Sequence, residues 1–297
     1  MGAGFKPAPR TNAIRLQSPL LNPIPSFAWG FWSLLVLLRG FMALLSIDDL
    51  WISFGGIAAL SGVSMVVEKG KIFSIIGPNG AGKTTIFNCV TGIYRPSKGR
   101  IVFDGHDLVG RRPHQAARMG IARTFQNIEL FVHLTTMDNL LLGRHMHMKT
   151  GIISGATLFG KRSPAAKEEC AHRERVERTI EFLEIESARN VPVAALPYGT
   201  RKLVELGRAL AMEPTLLLLD EPTAGMNSEE KRDMMFWIRD IRDDFDVTII
   251  MVEHDMNLVM TVSDEVLALN FGVKLIQGLP EEVQTHPGVL EAYLGSD

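Results

Sequence analysis

Residues 72–90 leave the chain few options. Ile72-Phe73-Ser74-Ile75-Ile76 is a short apolar run of the kind that forms a buried strand. Gly77-Pro78-Asn79-Gly80-Ala81-Gly82-Lys83-Thr84-Thr85 follows it, and Ile86-Phe87-Asn88-Cys89-Val90 is apolar enough for a helix packed on that strand. Strand, glycine-rich loop, lysine, hydroxyl residue and helix together make a phosphate cradle, the P-loop. Gly77, Gly80 and Gly82 let the backbone turn tightly and approach an anion, because they lack a Cβ. The loop N–H groups and the helix N-terminus aim partial positive charge at phosphates. Lys83 reaches the β- and γ-phosphates, Thr84 places its hydroxyl on Mg²⁺, and Thr85 supports it. The expected ligands are ATP and Mg²⁺.

The rest of the chain supplies an α/β frame. Leu45–Phe54 and Val63–Val67 read as strands around a Gly55-Gly56 turn. Arg100–Phe103 is a further strand, and Ile121–Phe125 a short one ending at Gln126. From about 127 to 213 strands vanish. Asp138–Leu142 starts a helix, Thr150–Ser163 reads as a loop, and Ala165–Glu184 is a long charged helix with Val176, Ile180 and Leu183 on one stripe. Strands resume at Thr215–Leu219 and Val247–Val252, whose unbroken apolar runs suit a buried parallel sheet. Ser228–Asp244 and Asn257–Val262 read as helices, and Val266–Leu269 with Val273–Ile276 as a hairpin. Pro280–Val283 and Pro287–Leu294 read as short helices that open on proline.

Composition excludes several function classes. The 297 residues carry a net charge of −2 and a pI of about 6.5, so no basic field points to nucleic acid. Cys89 and Cys170 have neither CxxC nor Cys/His spacing, which predicts reduced thiols and no zinc site. Residues 1–42 form a leader. Residues 1–26 are rich in Pro, Asn and Ser, which predicts disorder, and Phe27–Leu38 is an uncharged apolar run too short to span a bilayer as a helix. An ATP-using chain has no ATP outside the cell, which argues against export. A packing extension, a start codon set too early and a membrane-surface anchor all remain open readings of it. Met42 opens the main domain, residues 43–297.

Further residues fall where α/β folds bind ligands. Asp220-Glu221 follows the Thr215–Leu219 strand directly, at a carboxyl end. Asp220 is placed to hold the Mg²⁺ shell, and Glu221 to polarise an attacking water as general base. Gln126 offers a neutral carbonyl to Mg²⁺ or water, and His254, after the Val247–Val252 strand, offers a hydrogen bond to a γ-phosphate. Leu196-Pro197-Tyr198-Gly199-Thr200 precedes the Arg201–Met212 helix, a second turn that favours an anion.

In the order P-loop, Gln126, helical segment, LPYGT, LLLLDE, His254, the chain from Leu44 to Gly295 resembles the nucleotide-binding subunits of ABC transporters. The resemblance implies an α/β fold: a P-loop NTPase (RecA-like) core, an antiparallel β subdomain and an all-helical insertion at about 127–213. It also implies ATP hydrolysis coupled to transport. LPYGT stands for the signature turn, Ala224-Gly225-Met226-Asn227 for the D-loop and His254 for the switch histidine. Phe54 stands where an aromatic ring stacks on adenine. The nucleotide set is then Phe54, Gly77, Pro78, Asn79, Gly80, Ala81, Gly82, Lys83, Thr84, Thr85, Gln126, Tyr198 and Gly199. Thr84, Gln126 and Asp220 are the metal set, and Lys83, Glu221 and His254 the catalytic one. Pro197, Tyr198 and Thr200 depart from the family's signature, and the Tyr198 hydroxyl is the expected substitute donor.

Two such domains are expected to sandwich two ATPs head to tail, as a homodimer or with a paralogous ATPase subunit. They would sit peripherally on the cytoplasmic face of the inner membrane. Two transmembrane permease subunits bind them there, and a periplasmic or extracellular solute-binding protein acts indirectly. Phe54-Gly55-Gly56, Arg123-Thr124-Phe125-Gln126, LPYG, Glu253-His254-Asp255-Met256 and Glu291-Ala292-Tyr293-Leu294-Gly295 resemble the branched-chain amino acid importer ATPases. Urea or short-amide importers and lipopolysaccharide exporters share parts of the pattern.

Overall fold

A strand covered on both faces needs an apolar residue at every position, and that requirement organises this chain. The computed structural model describes residues 43–148 and 164–294. The leader (1–42) and the loop expected at Thr150–Ser163 fall outside them.

In chain order, β1 (Ala43–Phe54) and β2 (Ile57–Glu68) form a hairpin about Gly55-Gly56. The second strand is longer than its apolar run suggested, because Gly62, at φ +73°, lets it bend rather than stop. β3 (Ile72–Ile76) leads into the P-loop and α1 (Lys83–Val90). β4 (Lys98–Phe103), β5 (His106–Asp107), α2 (Pro113–Arg118) and β6 (Ile121–Arg123) follow. The α2 helix left no trace in the sequence pattern, since Ala116 is its sole buried residue.

Next come α3 (Thr136–Gly143), α4 (Pro164–Phe182) and α5 (Tyr198–Leu210). The chain ends with β7 (Leu216–Asp220), α6 (Ser228–Phe245), β8 (Thr248–Val252), α7 (Met256–Val262), β9 (Glu265–Asn270), β10 (Val273–Gly278), α8 (Pro280–Gln284) and α9 (Pro287–Leu294). Caps fix several starts. Asn227 accepts hydrogen bonds from the Glu229 and Glu230 amides while Glu230 reaches back to the Asn227 N–H, and Thr135 accepts from the Asp138 amide.

Two sheets result. The antiparallel one runs β2-β1-β4-β5, and the other β10-β9-β3-β8-β7-β6. In the second, β9, β3, β8, β7 and β6 are parallel and β10 pairs antiparallel at the edge. Its residues alternate between two cores. Ile72, Leu217, Leu219, Ile249 and Met251 join Leu140, Val176, Ile180 and Leu183 of the helical segment. Phe73, Ile75, Leu216, Leu218 and Ile250 join Leu45, Ile47, Leu50 and Val63 of the antiparallel sheet. Burying one such side chain contributes roughly 1.5–3 kcal/mol. The parallel arrangement matters for function. It sends the carboxyl ends of β3, β6, β7 and β8 to one edge, where the P-loop, Gln126, Asp220-Glu221 and Glu253-His254 emerge.

Candidate functional site

The P-loop leaves β3 at Gly77, which has φ +151°, and a Cβ there would run into the Leu269 carbonyl oxygen. Gly82, at φ +100°, caps α1, and a Cβ on it would meet Leu60 at 2.7 Å and the Ala59 carbonyl at 2.8 Å. These two positions need glycine for both conformation and space. No side chain caps α1, so its first N–H groups are left for a ligand. Lys83 is buried and folds back on its own loop. Its Nζ donates to the Gly77 and Pro78 carbonyl oxygens at 2.7 and 3.0 Å. Burial pulls its pKa down, and the charges of Glu221 and Asp220 oppose that.

Across the loop stands Glu221, at φ +50°, with its amide anchored on the Val252 carbonyl at 2.9 Å. This strained backbone projects the carboxylate from the end of β7. His254 Nε2 lies 2.7 Å from Glu221 Oε1, and Gln126 Nε2 donates to Oε2 at 3.0 Å. Residues from β6, β7 and β8 thus meet at one carboxylate. His254 thereby holds the Glu221 carboxylate beside the cleft. Ala59, Asn79 through Thr85, Gln126 and Glu221 line one cleft of about 260 Å³. A larger groove, of about 470 Å³, lies by Pro197, Gly199 and Trp237. Its charged lining groups are all acidic (Glu184, Glu230, Asp233 and Asp240), so it repels phosphate, whereas the smaller cleft attracts it.

Asp220 sits just behind, 2 % exposed. Its Oδ2 pairs with Arg123 Nη2 at 2.8 Å, and Arg123 Nη1 donates to Asn88 Oδ1 at 2.6 Å. The guanidinium lies 5.5 Å from the Phe87 ring and 5.0 Å from the Phe125 ring. Asp220 Oδ1 is buried without a hydrogen-bond partner among the described residues. Thr84 and Gln126 line the cleft, and Asp220 Oδ1 is an orphaned carboxylate oxygen at the end of β7; a hydroxyl, an amide carbonyl and a carboxylate are the hard-oxygen donor types that suit Mg²⁺. The glycine cradle and Lys83 fit a polyphosphate. Among the described residues no group of three or more His, Cys, Asp or Glu is placed to hold a metal.

Phe54 ends β1 half-exposed, edge-on to Tyr94 with ring centres 4.9 Å apart, which leaves a face for a base. Tyr198 and Gly199 open α5. The Tyr198 hydroxyl donates to the Ala224 carbonyl of its own chain at 3.1 Å, so in this structure it serves the next turn rather than standing free for a phosphate. Burial and the Glu205 charge both raise the pKa of the phenol. The geometry also adds residues that the sequence reading missed. Arg123 braces Asp220. Buried Glu253 accepts from the Thr223 amide and hydroxyl and from the His254 amide, at 2.7 to 3.1 Å. The Lys202 ammonium donates to the Gln126 carbonyl at 3.2 Å. Each lies beside a motif already identified, but its partner is distant in sequence.

Comparison with known proteins places the chain in a family. The ABC transporter family matches residues 60–224, and the branched-chain amino acid ATP-binding cassette transporter family matches residues 275–297. The high-affinity branched-chain amino acid transport ATP-binding protein BraF of Pseudomonas aeruginosa is 40% identical over 255 residues, 85% of this chain and 98% of that protein. LivG of Salmonella typhimurium, which carries the same description, is 41% identical over 256 residues, 85% of this chain and 98% of that protein. A crystal structure of an ABC transporter's ATP-binding cassette in its ADP conformation superposes with a TM-score of 0.74 at 29% identity, covering 86% of this chain and all of that one. The chain therefore belongs to the ABC transporter family, as an ATP-binding cassette ATPase.

Proposed function

We propose that this ATPase energises an importer for branched-chain amino acids. The observation that carries the reading is near-full-length similarity to transport proteins of that description, together with a family match over the C-terminal residues 275–297. In the cleft, the backbone of Gly77–Thr85 binds the phosphates of ATP. Lys83 exchanges its two loop carbonyls for phosphate oxygens, and Phe54 stacks on the base. Thr84, Gln126 and Asp220 would hold Mg²⁺, which would supply charge neutralisation for the bound phosphates. Glu221 accepts a proton from the attacking water. His254 and Gln126 fix both oxygens of that carboxylate, so the base is oriented before substrate arrives.

One chain supplies only this half. The turn at Tyr198-Gly199 on a second subunit, identical or paralogous, closes over the nucleotide. Closure and reopening drive two membrane permease subunits. No described helix is long and apolar enough to cross a membrane, which suits a subunit bound peripherally to the cytoplasmic face through those permeases. The solute then meets the permeases and a solute-binding protein, not this chain. Reconstituting the chain with its permease subunits and binding protein in liposomes tests the reading. Leucine, isoleucine or valine should raise ATP hydrolysis several-fold. Stimulation by urea or an amide alone, or by lipopolysaccharide, would overturn the solute assignment.

A further inference from the structure

The string Glu291-Ala292-Tyr293-Leu294-Gly295 marks a family resemblance, and nothing in the hydrolytic site explains it. The structure gives its tyrosine a task. The α9 helix is seated by Val289, which is 2 % exposed and belongs to the core that also holds Ile72 and Ile76 of β3. From that seat the Tyr293 hydroxyl accepts a hydrogen bond from the Gly77 N–H at 2.8 Å. The two residues are 216 positions apart. Gly77 is where β3 ends: the parallel ladder closes at Ile75 with Val252 and at Ile76 with Ala268. Its amide is the first to leave the sheet, and the phenol takes it.

Gly77 is gripped on three sides. Its N–H is held by Tyr293, its C=O by Lys83 Nζ at 2.7 Å, and its Cα lies against the Leu269 carbonyl. We infer that Tyr293 is a positioning residue for the nucleotide, holding the first P-loop residue in place from the C-terminal helix. This rests on the reading of Gly77–Thr85 as the phosphate cradle. A cradle held in place before ATP arrives binds ground and transition states alike. The phenol therefore acts on affinity more than on turnover. Burial pushes the phenol pKa up, with the Gly77 hydrogen bond working against that, so the hydroxyl stays neutral through the physiological range.

The Tyr293→Phe variant keeps the ring and removes the acceptor. Losing one hydrogen bond to a buried amide should weaken binding of a fluorescent ADP analogue to the isolated chain about three- to tenfold. KM for ATP should rise by a similar factor while kcat stays within about twofold. In nucleotide-free protein, hydrogen exchange over Ile72–Ala81 should speed up, with the melting temperature within about 2 °C of wild type. A structural role alone would move the melting temperature and leave the Gly77 amide protected. Wild-type exchange with wild-type ADP affinity overturns the inference. A Lys83→Ala chain run in parallel separates the two claims. Loss of ADP binding there supports the cradle, and unchanged binding overturns cradle and inference together. Should Tyr293→Phe fold poorly, Val289→Ala leaves the phenol in place but loosens its seat, and must still accelerate exchange over Ile72–Ala81 for the inference to stand.

Discussion

Helices α1 and α5 both carry a glycine at their start, Gly82 as the cap of α1 and Gly199 as the second residue of α5, which begins at Tyr198 and not at the expected Arg201. No side chain caps either, yet they are built for different situations. The α1 start is enclosed by its own chain. Gly82 and Gly77 are packed against backbone carbonyls, Lys83 is buried, and Glu221 and Gln126 face it across one cleft. The α5 start faces outward. Pro197 is its cap, Tyr198 is 44 % exposed, and the groove beside it is acidic. A free helix N-terminus favours an anion, and among the described residues the groove beside the α5 start is lined by no basic side chain that would help hold one. The difference is between an enclosed cleft and an exposed helix start, and under the proposed function the second is the half-site that closes over a partner's nucleotide.

The largest expected effect separates the halves by chemistry. Glu221→Gln keeps the shape and hydrogen-bonding capacity of the side chain but cannot accept a proton. Hydrolysis should fall about 10²–10⁴-fold, the usual contribution of a positioned base. ATP should still drive two chains together, so that light scattering shows a dimer with ATP and a monomer without it. A variant that hydrolyses at the wild-type rate removes Glu221 as the base. A variant that stays monomeric with ATP breaks the two-halves reading.

A milder contrast tests the two turns by sterics. A methyl at Gly77 meets the Leu269 backbone oxygen at a φ that side chains rarely adopt, and backbone cannot step aside. Gly77→Ala should cost about 1–3 kcal/mol of stability and most of the ADP affinity of the isolated chain. At Gly199 the φ is not positive, and a methyl meets Glu230 Oε1 at 2.6 Å, the far end of a flexible side chain. Helix propensity favours alanine there by about 0.5–1 kcal/mol, which offsets the disturbance of the α6 cap that Glu230 completes. Gly199→Ala should therefore melt near wild type and bind ADP normally as a monomer, while losing ATP-dependent association. Equal loss of ADP affinity in both variants would erase the distinction.

Both half-sites were readable in the sequence to the extent that their chemistry is contiguous. The P-loop, Asp220-Glu221 and the turn before α5 are short strings whose residue types serve one task. The buried parallel strands were readable because double burial leaves unbroken apolar runs. What stayed hidden is whatever depends on a distant partner. Arg123 reads as one charge near the end of a short strand, and only the sheet brings it to Asp220, 97 residues on. Glu253 reads as a neighbour of His254, and only folding buries it under Thr223. The contact of the Tyr198 hydroxyl with the Ala224 carbonyl, 26 residues on, likewise has no trace in the sequence.

That last residue gives the smallest effect and the finest test of the comparison. A Cβ at Gly225 would lie 3.1–3.2 Å from the Tyr198 ring and hydroxyl, so the phenol packs closely on the turn that follows Glu221. The hydroxyl therefore links the exposed half-site to the loop leaving the enclosed one, within a single chain. Tyr198→Phe removes one partly exposed hydrogen bond, about 0.5–1 kcal/mol. ATP hydrolysis by the dimer should then change only about two- to fivefold, with ADP affinity of the monomer unaltered. A far larger fall, about a hundredfold, would mean that the phenol leaves Ala224 on closure and donates to the partner's phosphate. The size of the loss thus decides whether the α5 turn acts on the second nucleotide through its backbone alone or through Tyr198 as well.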